Sequence, residues 1–118
     1  MNPTSVASTG SLTQIPVTAV AELLDQGAAL IDVREHQETA AGSAPRAIFI
    51  PLQQFALDAL PQGRPLVFIC RSGSRSGAVA RALADMGFTT YNVVGGMGAW
   101  AAAGYAVVAE NGQPGRVL

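Results

Sequence analysis

The sequence predicts an α/β fold, with a central, mostly parallel five-stranded sheet and helices on both of its faces. Short runs of four or five continuous apolar residues recur along the chain, and stretches with helical spacing separate them. Continuous apolar runs, unlike alternating ones, indicate strands that are buried on both faces. Strands that alternate with helices are typical of parallel sheets. At 118 residues, 49% of them hydrophobic, the chain is long enough for one domain with its own core.

Five segments are predicted as strands, each bounded by residues that break regular structure. The first is a brief extended piece that ends in Pro16, and the others are apolar or β-branched runs. In chain order the five lie at 14–16, 29–33, 47–50, 66–69 and 90–94. Residues 105–108 are a further candidate for a short edge strand.

Helical patterns fill the intervals between these strands. In the first, Thr18 is the predicted N-cap. The helical segments are predicted at 17–26, 35–41, 52–60, 78–86 and 97–103. Four of them end at or just before a glycine, the usual stop signal of a helix: Gly27, Gly42, Gly87 and Gly104. The segment at 52–60 is followed by the turn Pro61-Gln62-Gly63.

The ends of the chain differ in composition from the segment between them. Residues 1–12 are rich in Ser and Thr and carry no charged side chain, and they lack the basic region and apolar core of a signal peptide. We expect a disordered or loosely attached leader at 1–12, one domain at 13–109 and a polar tail at 110–118. The same features predict a cytoplasmic protein.

Composition excludes several classes of function. The net charge of −1 argues against a nucleic acid or an acidic membrane as partner, and no apolar stretch approaches the ~20 residues of a membrane span. All seven basic residues are arginine, which removes Schiff-base chemistry. One cysteine can form neither an internal disulfide nor a cysteine-rich zinc site, so a reducing compartment is expected and no metal or cofactor is predicted.

The single cysteine, Cys70, lies where a buried strand meets a helix. It follows the apolar run at 66–69 and opens a loop of serines and glycines, 71–77, that holds two arginines and no acid. Backbone N–H groups and the positive end of a helix dipole favour a thiolate at such a turn. We therefore predict that Cys70 is a nucleophile. The alternative is a small buried side chain that only packs.

Three motifs resemble those of a single-domain rhodanese, a sulfurtransferase, and they occur in that family's order and at its spacing. They are Asp32-Val33-Arg34-Glu35, the Cys70 to Ser76 loop and Gly95-Gly96-Met97-Gly98-Ala99-Trp100. Together they cover roughly residues 15 to 108. The resemblance implies that Cys70 takes the outer sulfur of a donor such as thiosulfate as a persulfide. It then passes that sulfur to cyanide, a thiol or a protein.

The resemblance also implies roles for the residues around Cys70. The substrate-binding residues would be Arg71, Ser72, Gly73, Ser74, Arg75 and Ser76, with the two arginines on the donor's sulfonate oxygens. For Arg75 the alternative is an ion pair that fixes the loop, for example with Asp32 or Glu35. Asp32 and Arg34 would support the site structurally.

The sequence is also compatible with functions besides sulfur transfer to a small acceptor. Phosphatases of the same fold have a C-x5-R loop, whereas this chain has the shorter Cys70-x4-Arg75, which favours sulfur transfer over a phosphatase or an arsenate reductase. A sulfur-relay module with a protein partner and a non-catalytic binding domain both remain open. We expect the only histidine, His36, to be a surface residue and Trp100 to lie in the core.

The chain departs from the family pattern in one connecting segment. Residues 42–47 read Gly-Ser-Ala-Pro-Arg-Ala where the family usually has G-H-I-P-G-A, so Ser43 and Arg46 are unusual. Thr39 follows Glu38, where an aromatic residue is common. These changes put local packing in question and leave the cysteine loop intact.

Overall fold

A computed structural model of the chain describes residues 10–118. Within that range the strands are β1 (Ser11–Ile15), β2 (Ala29–Asp32), β3 (Ala47–Phe49), β4 (Leu66–Ile69) and β5 (Thr89–Val93). The α-helices are α1 (Val20–Asp25), α2 (His36–Ala41), α3 (Ser74–Asp85) and α4 (Gly96–Ala102). Three 3₁₀ turns lie at Val17–Ala19, Leu52–Gln54 and Leu57–Ala59.

The five strands form one sheet in the order β1-β5-β4-β2-β3, and every neighbouring pair is parallel. This confirms the predicted fold class. Parallel order places the carboxyl ends of all strands at one edge of the sheet, where ligands bind in such folds. The loops that follow β2, β3, β4 and β5 therefore meet there.

Two hydrophobic clusters cover the two faces of the sheet, because alternate residues of each buried strand point to opposite sides. In β4, Val67 and Ile69 belong to one cluster, whereas Leu66 and Phe68 belong to the other. Helices α1 and α4 contribute to the first cluster, and α3 contributes to the second. The predicted helices on both faces are thus present.

Several element boundaries differ from the prediction. β1 begins at Ser11, inside the predicted leader, because its backbone pairs in parallel with β5 although most of its side chains are not buried. Residues 1–9 of that leader lie outside the described residues. Thr18 does not cap a helix, since a 3₁₀ turn with Pro16 at its N-cap position precedes α1. The helix predicted at 52–60 is two separate 3₁₀ turns.

The C-terminal segment, which we define as residues 107–118, packs on the end of α2. No strand forms at 105–108, where the structure has only single bridges from Val108 to Ser43 and to Pro114. The segment then turns back, and Arg116 N–H donates to the Ala41 carbonyl at 2.9 Å. Among residues 10–118, no helix combines the length and the apolar character needed to cross a membrane.

Candidate active site

Cys70 lies at the carboxyl edge of the sheet, directly after the central strand β4, and its side chain is buried. Its sulfur accepts two hydrogen bonds from the residues that follow. Gly73 N–H donates to Sγ at 3.1 Å, and Ser76 Oγ donates to Sγ at 3.2 Å. The loop thus curls around the sulfur and directs donors at it.

The turn between Cys70 and α3 is tighter than predicted, since α3 begins at Ser74 instead of Ala78. Gly73 is the residue before the helix and has a left-handed conformation with φ of +103°. A Cβ at Gly73 would lie 3.2 Å from the Val93 carbonyl oxygen. Only glycine adopts this backbone next to β5 without strain, and this conformation lets Gly73 N–H face Sγ.

The third motif holds the same loop from the other side. Met97 and Gly98, in the first turn of α4, donate N–H groups to the carbonyls of Cys70 and Arg71 at 2.8 and 3.0 Å. Gly96 makes this approach feasible, because a Cβ on it would collide with the Cys70 carbonyl oxygen. The glycines after β5 therefore position the backbone of Cys70 and Arg71.

The surroundings of Cys70 favour the thiolate. Burial raises the pKa of the Cys70 thiol, but the Ser76 hydroxyl, followed by the backbone N–H groups of Ser76, Gly73 and Ser72 that face the sulfur, lowers it by more. The net result is a lowered pKa for Cys70. Donors aimed at a sulfur stabilise its charged form and therefore increase its nucleophilic fraction.

A polar network that was not predicted extends from Ser76 into the sheet. Ser76 Oγ lies 2.6 Å from Asn92 Oδ1, and Asn92 Nδ2 donates to Gly73 O at 3.1 Å and to Gln14 Oε1 at 2.9 Å. Ser76 and Asn92 are both buried. The sequence signal that pointed to this network was Asn92, an amide side chain inside the otherwise apolar and β-branched run at 90–94.

Arg75 forms a bidentate ion pair with Glu38 of α2. Its Nη1 and Nη2 lie 2.8 and 2.9 Å from the two carboxylate oxygens. These hydrogen bonds are the main reason why the pKa of Glu38 falls to about 2. An ion pair was the alternative prediction for Arg75, but its partner is Glu38 instead of Asp32 or Glu35.

The other polar residues of the loop face solvent. Arg71 Nε donates to the Leu118 carbonyl at 2.8 Å, so the C-terminal segment holds this side chain. The hydroxyls of Ser72 and Ser74 are 3.4 Å apart, and both residues are exposed. The loop therefore presents one guanidinium and two hydroxyls outside the buried sulfur.

Asp32 and Arg34 form a buried ion pair beneath the rim. Arg34 Nε and Nη2 donate to the Asp32 carboxylate at 2.8–3.1 Å, and Nη2 also donates to the Gly42 carbonyl at 2.8 Å. Within residues 10–118, Arg34 Nη1 is the one buried side-chain nitrogen or oxygen without a hydrogen-bond partner. The pair joins the end of β2 to the end of α2.

Three positions that depart from the family pattern have local partners. Thr39 Oγ1 donates to the His36 carbonyl at 3.1 Å, Ser43 pairs through its backbone with Val108, and Arg46 lies 2.9 Å from exposed Asp25. None of these contacts involves the cysteine loop.

The only histidine and the only tryptophan of the sequence lie at the surface or near it. His36 is exposed, as expected, and lies 2.7 Å from the Glu110 carboxylate. Trp100 is half-buried at the edge of the core, where it packs against the first hydrophobic cluster, lines an apolar groove of about 450 Å³ beside α1 and donates to the Ala106 carbonyl.

Comparison with known proteins gives consistent matches. The family model described as Rhodanese-like domain matches residues 16–103. The chain is 45% identical over 78 residues to the putative sulfurtransferase YtwF of Bacillus subtilis, which covers 64% of this chain and 76% of that protein. It is 32% identical over 92 residues to the thiosulfate sulfurtransferase GlpE of Pseudomonas savastanoi pv. phaseolicola, covering 75% and 87%.

Comparison with solved structures points to the same family. A crystal structure of a rhodanese-related protein from Thermoplasma volcanium superposes with a TM-score of 0.75 at 30% sequence identity. The match covers 83% of this chain and 99% of that one.

Proposed function

The chain belongs to the rhodanese-like family, whose relatives here are named sulfurtransferases, and we propose that it transfers sulfane sulfur through a persulfide on Cys70. The observation that carries this proposal is the pair of donors on Cys70 Sγ, from Gly73 N–H and the Ser76 hydroxyl. They favour the thiolate, which is the attacking species in sulfur exchange.

The proposed reaction has two steps, with thiosulfate as the donor. The Cys70 thiolate attacks the outer sulfur of thiosulfate, a bond forms between the two sulfurs, and sulfite leaves with the electron pair of the broken bond. Cyanide or a thiolate then attacks the outer sulfur of the persulfide. The sulfur–sulfur bond of the persulfide breaks, and its electron pair returns to Cys70. Charge and electrons balance in each step without a cofactor.

The loop would stabilise the negative charge that the reaction moves. N–H groups fixed by the turn before α3 need no reorganisation when charge develops on sulfur. Exposed Arg71 and the hydroxyls of Ser72 and Ser74 are available to the oxygens of the donor. Arg75 is held by Glu38, so we assign it to fixing the loop and supplying positive potential, not to direct contact with the donor.

The test measures the covalent intermediate. After incubation with thiosulfate, intact mass should show one added sulfur atom on the wild-type protein, and cyanide should remove it. Cys70→Ser should gain none, whereas Ser43→Ala, outside the loop, should load like the wild type. An unloaded wild type, or a Cys70→Ser variant that loads equally, contradicts the proposal.

A protein acceptor is the second candidate, and the surface beside the site favours it. Ile48, Phe49, Leu52 and Leu57 are exposed apolar side chains on and after the edge strand β3, whose carboxyl end shares the rim with Cys70. If the acceptor is a protein, cyanide should discharge the persulfide slowly and Phe49→Ser should leave that rate unchanged. Efficient turnover with cyanide at low thiosulfate contradicts this candidate.

A further inference from the structure

The hydroxyl of Ser76 faces two acceptors but has one proton. Ser76 Oγ is 3.2 Å from Cys70 Sγ and 2.6 Å from Asn92 Oδ1. A serine hydroxyl donates one hydrogen bond, so it can serve only one of these two atoms at a time. The choice between them decides whether the sulfur receives this donor.

The direction of the Asn92 amide is fixed by its other contacts. Asn92 Nδ2 donates to the Gly73 carbonyl and to Gln14 Oε1. A backbone carbonyl can only accept, so the amide cannot be reversed, and Oδ1 must face Ser76. Because both residues are buried, a hydroxyl proton without an acceptor here would be costly.

We propose that Asn92 is a positioning residue that makes the Ser76 hydroxyl a two-position donor matched to the charge on Cys70. While Cys70 is a neutral thiol, the Ser76 hydroxyl donates to Asn92 Oδ1 and accepts a hydrogen bond from the S–H group of Cys70. When Cys70 ionises, the hydroxyl turns and donates to Sγ. In the persulfide, a state that rests on the proposed function, the charge lies on the outer sulfur, and the hydroxyl returns to Asn92.

Asn92 therefore stabilises the states in which Sγ is uncharged. Its acceptor keeps the hydroxyl satisfied in the thiol and in the persulfide, and it competes with Sγ in the thiolate. Removal of the acceptor should increase the thiolate fraction of Cys70. If Asn92 had only a structural role, its removal would lower the thiolate fraction of Cys70, because the loop and the donors that face Sγ would be held less firmly.

The variant Asn92→Val tests this difference and is expected to fold. The Gly73 carbonyl keeps a second donor, Gly77 N–H at 3.0 Å, and Gln14 is exposed to solvent. Valine also suits a buried strand. Since the chain has one cysteine, thiolate absorbance during a pH titration reports Cys70 alone once a Cys70→Ala blank is subtracted.

At a fixed pH near the midpoint, the ratio of thiolate to thiol should rise about fivefold in Asn92→Val, the value of one net hydrogen bond. Ser76→Ala should lower the ratio by a similar factor. The double variant should match Ser76→Ala, because Asn92 acts only through the hydroxyl. A fall in Asn92→Val, or an effect of Asn92 that persists without Ser76, overturns the proposal.

Two further variants complete the test. Thr90→Val removes a buried hydroxyl of the same strand, one that donates to the Ala80 carbonyl. It should leave the ratio of thiolate to thiol unchanged. Gln14→Ala, at an exposed position, removes one of the two acceptors of Asn92 Nδ2, which holds the Asn92 side chain less firmly against Ser76 without reversing its amide. The ratio should therefore rise by less than in Asn92→Val, and no rise would contradict the proposal even if Asn92→Val failed to fold. The titration uses no sulfur donor, so its outcome is independent of whether the protein loads sulfur.

Discussion

Glu38 is the residue whose substitution measures how much the ion pair with Arg75 contributes to stability. Glu38 is mostly buried, Arg75 is about one-third exposed, and the contact is bidentate. Partly buried forked pairs of this kind are stronger than exposed ones. The pair connects α2 to the first turn of α3, so it links the loop after β2 to the cysteine loop.

The pH dependence of stability should reveal this pair. Because the pKa of Glu38 falls from 4.5 to about 2 on folding, the stabilisation is present above pH 4.5 and is lost as the pH falls toward 2. Glu38→Gln should lower the free energy of urea unfolding by about 1 kcal/mol at pH 7. The difference from wild type should shrink as the pH is lowered through that window.

The matched control is Asp25→Asn, which removes the carboxylate of the exposed pair with Arg46. It should change stability by less than about 0.5 kcal/mol at either pH. A Glu38→Gln difference that is the same at pH 7 and at the acid end of the window would contradict a role for the Glu38 charge.

Cys70 and its loop were predictable as the candidate site from the sequence, but the distant partners of Arg75 and Ser76 were not, and the reason is separation along the chain. Cys70 and its loop are contiguous, so composition and order were sufficient. Glu38 lies 37 positions from Arg75, and Asn92 lies 16 positions from Ser76. Which of the eight acidic residues meets Arg75 depends on strand order, and strand order is not encoded locally.

At the level of elements, the turn from β4 into α3 is the part on which the proposed chemistry depends. Gly27 and Gly73 have nearly the same left-handed φ, +109° and +103°, but a Cβ on Gly27 would meet nothing within 4 Å. Only Gly73 stands against β5 and donates to the sulfur. Substitutions at these two glycines therefore distinguish the cost of backbone strain from the loss of the donor to Cys70 Sγ.

Alanine at each position tests that separation. Gly27→Ala should lose about 1–2 kcal/mol of unfolding free energy, the cost of a left-handed residue with a side chain, and Gly73→Ala should lose at least as much, because its Cβ would also press on the Val93 carbonyl. Only Gly73→Ala should slow persulfide formation, by about tenfold or more, because the N–H donor shifts away from Sγ. Equal slowing in the two variants would show that strain alone, and not the donor, is responsible.

Elements were predictable where burial was continuous. β2 and β4 are apolar at almost every position and were predicted within one residue of their observed ends. β1 was predicted too short because three of its five residues are exposed and polar, and it is specified by its pairing with β5. The first turn of α3 has a loop-like composition, and contacts of Ser76 with Cys70 and Asn92 hold it in place.

On the scale of the whole molecule, the C-terminal segment is attached to the domain by close backbone packing. A Cβ on Gly115 would lie 2.6 Å from the Ala41 carbonyl oxygen, whereas Gly112, in the same segment, has open space. The segment reaches the cysteine loop through the Leu118 carbonyl, which accepts from Arg71. Its composition predicted only a polar tail, because the glycines that allow this packing also occur in unstructured segments.

Gly115→Val should release this segment from α2. An arginine-specific protease should then cut after Arg116 about tenfold faster than in the wild type, because the local opening that cleavage requires has lost its backbone hydrogen bonds. Gly112→Asn, which tolerates the left-handed backbone at that open position, should be cut at the wild-type rate. Equal cleavage of Gly115→Val and wild type would show that the packing against α2 does not protect the segment.

The hydrogen bond between Gln14 and Asn92 joins residues 78 positions apart, and it has a consequence for biosynthesis. A ribosome delivers Gln14 early and Asn92 late, so the neighbouring strands β1 and β5 can pair only after nearly the whole described chain has emerged. Parallel pairing between such distant segments is a slow event in folding. Until it occurs, Cys70 lacks the network behind Ser76, and the nascent chain carries a thiol that has not yet acquired its final reactivity.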